Sequence, residues 1–170
     1  EGDRGGQYLD AVARVVRSWV EAMLHRTARG AAFTEGVPRS RYAVAATDVV
    51  RLLVEAGRPD DAQLQGGADE HWRSLACDST ASTTPLARLA AALQLPDIAT
   101  RMIAALIALE HDPELERVCA YAWDDFTRKR PDVGFLVELV SGGDAARREQ
   151  ARAALSTTGP LRRFRVLAVG

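Results

Sequence analysis

The stretch 112–141 contains two helix starts separated by one helix stop, and this order constrains the fold more than any other feature of the chain. Asp112 can accept hydrogen bonds from the free amides of a first helical turn, and Pro113 fits the first helical position because its missing N–H would be unpaired there. Pro131 ends this helix, and Asp132 can cap a second one. The spacing therefore predicts one helix that begins at Asp112 and ends before Pro131, followed by a second, short helix.

The two helices of this stretch are predicted to differ in burial. The second, over residues 133–140, has Glu138 as its one charged residue, so we expect it to be buried on most sides. The first has apolar residues that recur at three and four positions and predict one buried stripe. The members of this stripe are Leu115, Val118, Cys119, Ala122 and Phe126.

Apolar residues recur at three and four positions in most of the remaining chain as well. This spacing predicts helices over residues 7–24, 40–57, 68–76, 85–93, 97–110 and 144–155. The helix over 97–110 has apolar residues on two faces, so we expect it to be the central helix of its domain. Residues 1–6 are interpreted as a loose start, and residues 60–67 as a turn.

The end of the chain has a different pattern. Beyond Pro160, Phe164, Val166 and Ala168 alternate with their neighbours, which predicts a short strand. The hydroxyl-rich run 79–84 is the best candidate boundary between domains. The sequence thus predicts a mostly α fold with a small β element, divided into a helical region over 7–76 and a second domain over 85–170.

Four short pieces of the second domain, taken together, resemble a known arrangement. They are PLARLA at 85–90, ALEHDPEL at 108–115, YAWDDFTRKRPDVG at 121–134 and GPLRR at 159–163. In this order and spacing they resemble the domain that precedes the ATPase module in a group of bacterial AAA+ ATPases, usually described as a winged-helix domain. The resemblance covers about half of the chain.

This resemblance implies both a fold and a role. Residues 85–170 would form a winged-helix-like domain, with the predicted strand as the first strand of its wing. The chain would be a non-catalytic N-terminal region that recruits a substrate or adaptor protein, or regulates the ATPase. ATP and magnesium would be handled by a module that follows, in a parent protein that forms a homo-oligomeric ring. The start without Met fits a fragment of such a longer chain.

The residues themselves give no catalytic constellation and indicate no cofactor for this segment. A phosphate-binding loop of the Walker kind needs a glycine loop followed by Lys and Ser or Thr, and Lys129 follows no such loop. Gly142 and Gly143 precede a helix, but Asp144 at its start would repel an anion. The three histidines are scattered and form no pair of metal ligands on one helix face, so no metal site is predicted.

Composition limits the choice of partner and compartment. The net charge is −1, so no general positive field attracts nucleic acid. Two cysteines are too few for a disulfide framework, and no apolar run approaches the length of a bilayer span. We therefore expect a cytoplasmic chain without a membrane partner.

The candidate binding residues are surface groups. An arginine-rich surface is predicted to dock on a protein partner or on the neighbouring ATPase module, and a second patch is predicted on the helix that Asp112 starts. The first consists of Arg147, Arg148, Arg152, Arg162 and Arg163, and the second of Tyr121 and Asp124. The alternative is a DNA-binding winged-helix regulator, in which the same arginines contact phosphates. Against it, the helix over 133–140 has no basic or amide side chain that could contact base edges.

Overall fold

The computed structural model describes residues 2–32, 61–77, 84–122 and 131–168, which form eight α-helices and no β-strand. In chain order the helices are α1 (Gly2–Ala32), α2 (Asp61–Cys77), α3 (Pro85–Ala92), α4 (Asp97–His111), α5 (Pro113–Ala122), α6 (Val133–Ser141), α7 (Ala145–Leu155) and α8 (Pro160–Arg163). The predicted mostly α class is confirmed, and the predicted small β element is not found in the described residues. None of the helices in these ranges is long and apolar enough to cross a membrane.

The predicted strand at Phe164 to Ala168 is wrong because the chain turns there. Pro160 opens the one-turn helix α8, and the Leu161 carbonyl accepts hydrogen bonds from the N–H groups of both Val166 and Leu167. Arg165 has a positive φ of 55°, which reverses the backbone. The alternation of apolar residues therefore reflects two sides of a turn rather than two faces of a strand.

Side-chain caps set the starts of four helices, as the sequence predicts. Thr84 Oγ1 accepts from the N–H of Ala87 at 3.3 Å, and Asp112 Oδ1 accepts from the N–H groups of Glu114 and Leu115. The Oδ1 atoms of Asp132 and Asp144 each accept from the amide three residues later at 2.7 Å. These bonds satisfy amides that have no partner inside the helix.

Helix α4 is the central helix, as predicted. Nine of its residues are buried, and it packs against α1, α3, α5, α6 and α7. Its buried residues join those of α1, α2, α6 and α7 in one hydrophobic core, to which Leu115, Cys119 and Leu161 also contribute. Both predicted regions, 7–76 and 85–170, therefore place side chains in this core, while their division into domains stays a prediction.

Three local predictions differ from the structure. The predicted turn over 60–67 is wrong for its described residues, 61–67, because α2 begins at Asp61 and packs along α1 with Ala68 and Trp72 in the core. The start is not loose either, because α1 begins at Gly2. Val118 is 38% exposed and lies outside the buried stripe of α5. The predicted helix over 40–57 and the stripe residue Phe126 lie outside the described residues.

The turn between α6 and α7 lies close to side chains of α1 and α2. Gly142 and Gly143 both have positive φ, 63° and 83°, which is the conformation that glycine adopts without strain. A Cβ on Gly142 would meet the Gln65 side chain, and one on Gly143 would lie 3.2 Å from Arg26. Arg26 Nη1 in turn donates to Gln65 Oε1 at 2.7 Å. The two glycines thus allow α1 and α2 to approach this turn closely.

Candidate interaction surfaces

Arg147 and Arg148, two of the predicted docking residues, are paired with carboxylates of their own chain. Arg147 Nη1 donates to Asp69 Oδ2 at 2.8 Å and links α7 to α2. Arg148 donates to both carboxylate oxygens of Glu138, at 2.6 and 3.1 Å. The hydrogen bonds from Arg148 to Glu138 raise the pKa of that guanidinium. Both charges are therefore largely neutralised before any partner arrives.

The other arginines of the predicted surface are available to a partner. Arg152, Arg162 and Arg163 make no salt bridge within the described ranges, and neither does the adjacent Arg165. The Arg163 guanidinium lies over the Phe164 ring, 5.4 Å from its centroid. Phe164 is itself 42% exposed. Helices α7 and α8 pack on each other, so this arginine–phenylalanine surface, residues 152 and 162–165, lies on neighbouring elements.

The second predicted patch lies outside the side chains that the structure describes. Asp124 lies outside the described residues. Tyr121 belongs to α5, but its side chain lies outside them too. The assignment of these two residues to a partner patch therefore stays a prediction.

A buried arginine, which the sequence analysis did not single out, connects three helices. Arg101 of α4 has a side chain that is 7% exposed, with its guanidinium 5.5 Å from the ring centroids of both Trp19 and Trp72. The two indole rings lie 5.4 Å apart with an angle of 55° between their planes. This arrangement places one cation between an aromatic side chain of α1 and one of α2.

Two carboxylates complete the environment of Arg101. Its Nη1 donates to Asp69 Oδ1 at 2.7 Å and its Nε to Asp97 Oδ2 at 2.8 Å. Asp97 Oδ1 also accepts from the Trp72 indole N–H at 2.7 Å. Burial acts to raise the pKa of Asp69, but the hydrogen bonds from Arg101 and Arg147 outweigh it and hold this pKa below its usual value. Except for the buried Trp19 indole N–H, which has no hydrogen-bond partner among the described residues, the polar groups of this cluster are hydrogen-bonded, which indicates a structural role.

A polar cleft of about 350 Å³ lies between α1 and the junction of α4 with α5. Arg17 Nη2 donates to Asp112 Oδ2 at 2.9 Å, which raises the pKa of Arg17. His111 Nε2 lies 3.1 Å from Asp10 Oδ1. The charged groups here are mostly matched across the cleft, and no group of three or more potential metal ligands occurs anywhere in the described part of the chain.

An apolar groove of about 460 Å³ lies next to this cleft, on the other side of His111. We define the apolar groove by six aliphatic residues from α1, α4 and the C-terminal turn. They are Leu9, Ile103, Leu106, Ile107, Val166 and Leu167. The second apolar face of α4, which includes Ile103 and Ile107, is the sequence signal for this groove.

The comparisons with known proteins give one match. A family model described as "Winged helix domain, variant" matches residues 5–170. No curated protein and no solved structure matches the chain. The winged-helix part of the predicted resemblance is confirmed, and the match also covers the N-terminal residues that the resemblance left out. Nothing in the comparisons concerns AAA+ ATPases or bacteria, so those parts of the resemblance stay predictions.

Proposed function

We propose, from the premise that this chain belongs to the variant winged helix domain family, that it is a non-catalytic protein-interaction module. Its role would be to recruit a substrate or adaptor protein to an attached AAA+ ATPase module, or to regulate that module. ATP and magnesium would then be bound by the attached module and not by this segment. The interaction surface is the arginine–phenylalanine surface on α7 and α8.

The observation that carries this proposal is the position of Phe164 beside arginines that make no salt bridge with any residue the structure describes. An exposed aromatic ring under a guanidinium is a combination that protein interfaces favour, since aromatic residues and arginine are enriched there. Arg152 and Arg162 supply further donors for carboxylates of a partner. A partner with acidic groups around an apolar contact would complement this surface.

The ion pairs that Arg147 and Arg148 make with carboxylates of the same chain also favour protein docking over DNA binding. A surface that binds DNA gains its affinity from several cations that are free to contact phosphates. Here two of the five predicted arginines already contact Asp69 and Glu138, and the net charge of the chain is −1. Protein docking needs fewer free charges and therefore suits this surface better.

DNA binding is the second candidate, because the four arginines on α7, α8 and the following turn that have no salt bridge within the described ranges could contact phosphates. Helix α6 offers no side chain that distinguishes base edges. Such binding would therefore depend mainly on phosphate contacts. Its affinity would fall steeply with salt, with a slope of about −0.9 in log K against log salt for each phosphate contacted.

The test compares a charge-reversed surface with a matched control. Full-length tagged protein is purified by affinity from its native cells, either as wild type or with Arg152→Glu, Arg162→Glu and Arg163→Glu. The control carries Arg14→Glu, Arg88→Glu and Arg117→Glu, three exposed arginines on α1, α3 and α5. We expect a protein that co-purifies with the wild type and the control to be absent from the triple variant. The purified protein and this partner should then bind each other in vitro.

Two outcomes would contradict the proposal. One is equal recovery of every co-purifying protein with wild type, triple variant and control. The other is tight binding of a DNA duplex by the wild type that the triple variant loses and that weakens steeply with salt, which would favour the DNA-binding alternative.

A further inference from the structure

The apolar groove is a second surface with different chemistry. Its six aliphatic side chains come from three separate elements, and five of them are half-buried rather than buried. Together they leave an apolar depression at the surface. Clusters of this kind on a folded chain mark sites where another apolar surface binds.

The negative charge of Glu110, which lines the groove, indicates that the occupant carries a positive charge. Glu110 lines the groove, is exposed, and makes no salt bridge within the described part of the chain. It lies in the last turn of α4, where the unpaired carbonyls add partial negative charge. In the adjoining polar cleft Arg17 pairs with Asp112 and Glu114, and His111, which also lines the groove, contacts Asp10.

The secondary structure around the groove limits the form of the occupant. An extended peptide that adds a strand needs an exposed sheet edge, and the residues that the structure describes contain no strand. A groove between helices instead accepts the apolar face of an amphipathic helix, whose side chains at three- and four-residue spacing enter it. Glu110 then selects a basic residue on the same helix.

We propose that the apolar groove binds an amphipathic helix of a partner protein, which places aliphatic side chains in the groove and a lysine or arginine next to Glu110. This surface is opposite in charge to the arginine–phenylalanine surface and shares no residue with it. It goes beyond the function proposed above, because the chain would then have two separate binding surfaces. One would bind acidic groups, and the other would bind an apolar helix that carries a basic residue.

The test uses a fluorescently labelled helical peptide of about 12 residues, with leucines at helical spacing and lysines elsewhere. Two control peptides have glutamate in place of lysine, or the same residues in scrambled order. Binding is followed by fluorescence anisotropy with the whole chain. The protein variants are Glu110→Lys, which reverses the charge of the groove, and Leu106→Gln, which makes its wall polar.

Two matched controls separate groove binding from general attraction. Glu116→Lys makes the same charge change on an exposed residue of α5, and Val118→Gln makes a polar change at an exposed aliphatic residue of that helix. We expect saturable binding of the leucine–lysine peptide that weakens about two- to fivefold with Glu110→Lys, the size of an exposed ion pair. Leu106→Gln should weaken it further, and the two controls should leave it unchanged. Glu110→Lys should improve binding of the glutamate peptide.

Three results would overturn the proposal. They are absence of saturable binding, equal effects of Glu110→Lys and Glu116→Lys, and equal binding of the helical and scrambled peptides. A dimer of the free chain in sedimentation that Leu106→Gln dissociates would show that a second copy occupies the groove instead. None of these outcomes depends on Arg152, Arg162 or Arg163, so the function proposed above is tested separately.

Discussion

Replacing Arg101 by methionine should destabilise the fold more than a surface substitution does, and the structure gives the size of the effect. The variant Arg101→Met keeps an unbranched chain of similar length but removes the charge from between Trp19 and Trp72. Asp69, whose side chain is 13% exposed, then keeps only Arg147 as a paired cation among the residues that the structure describes. Removing one partner of a buried ion pair lowers the free energy of unfolding by about 3–5 kcal/mol.

The separate contacts support an effect near the lower end of this range. The bond from Arg101 to Asp69 is shielded from water and is worth about 1.5–3 kcal/mol. The bond to Asp97 contributes less, about 0–1 kcal/mol, because that carboxylate is 64% exposed. The two indole contacts add about 1 kcal/mol or more. We therefore expect a loss of about 3 kcal/mol in the free energy of unfolding.

Urea unfolding followed by tryptophan fluorescence measures this loss directly. Arg88→Met is the matched control, since Arg88 is exposed on α3, and it should change the free energy of unfolding by less than about 0.5 kcal/mol. The double variant with Asp69→Asn should lose less than the sum of the two single variants, because both remove the same ion pair. A loss below about 1 kcal/mol for Arg101→Met, or strict additivity with Asp69→Asn, would refute the view that this cluster stabilises the core.

Three further predictions follow from other sites. Because the folded-state pKa of Asp69 is depressed, its contribution is complete above its unfolded-state pKa of about 3.9 and is lost as the pH falls through the folded value. The difference in unfolding free energy between wild type and Asp69→Asn should therefore shrink only below about pH 4, and a difference that shrinks already between about pH 7 and 5 would contradict this. Gly159→Ala should destabilise by about 1–3 kcal/mol in urea unfolding, because its Cβ would meet the carbonyls of Ala153 and Ala154, whereas Gly67→Ala on open helix surface should stabilise by up to about 1 kcal/mol. Burial raises the pKa of the Cys119 thiol to about 12, so iodoacetamide at about pH 8 should label Cys119 in urea but not in the native chain, as peptide mapping would show.

The helix starts were the most predictable part of the fold, because each depends on a few neighbouring residues. Asp132 and Asp144 accept from the amides three residues later, and Thr84 does the same ahead of Pro85. Helix α2 was predicted too short because Gly66 and Gly67 suggest a turn locally. Trp72, five residues after Gly67, packs on Trp19, and this tertiary contact stabilises a helix that also includes the two glycines.

The sequence predicted which arginines form the candidate surface, but not which of them are free to bind a partner. The sequence shows six arginines between residues 147 and 165, yet it does not show that Asp69 from α2 and Glu138 from α6 contact two of them. Such pairs depend on which helices pack together, which local spacing does not encode. The burial of Arg101 was missed for the same reason, although its position on a helix with two apolar faces was a signal.

The pair formed by Trp19 and Trp72 has an optical consequence. Two indoles 5.4 Å apart with their planes tilted by 55° form a chiral arrangement of transition dipoles, and such a pair gives an exciton couplet in circular dichroism. Since one ring belongs to α1 and the other to α2, the amplitude of this couplet reports the distance between these two helices. Any ligand that separates them would therefore be seen spectroscopically without a label.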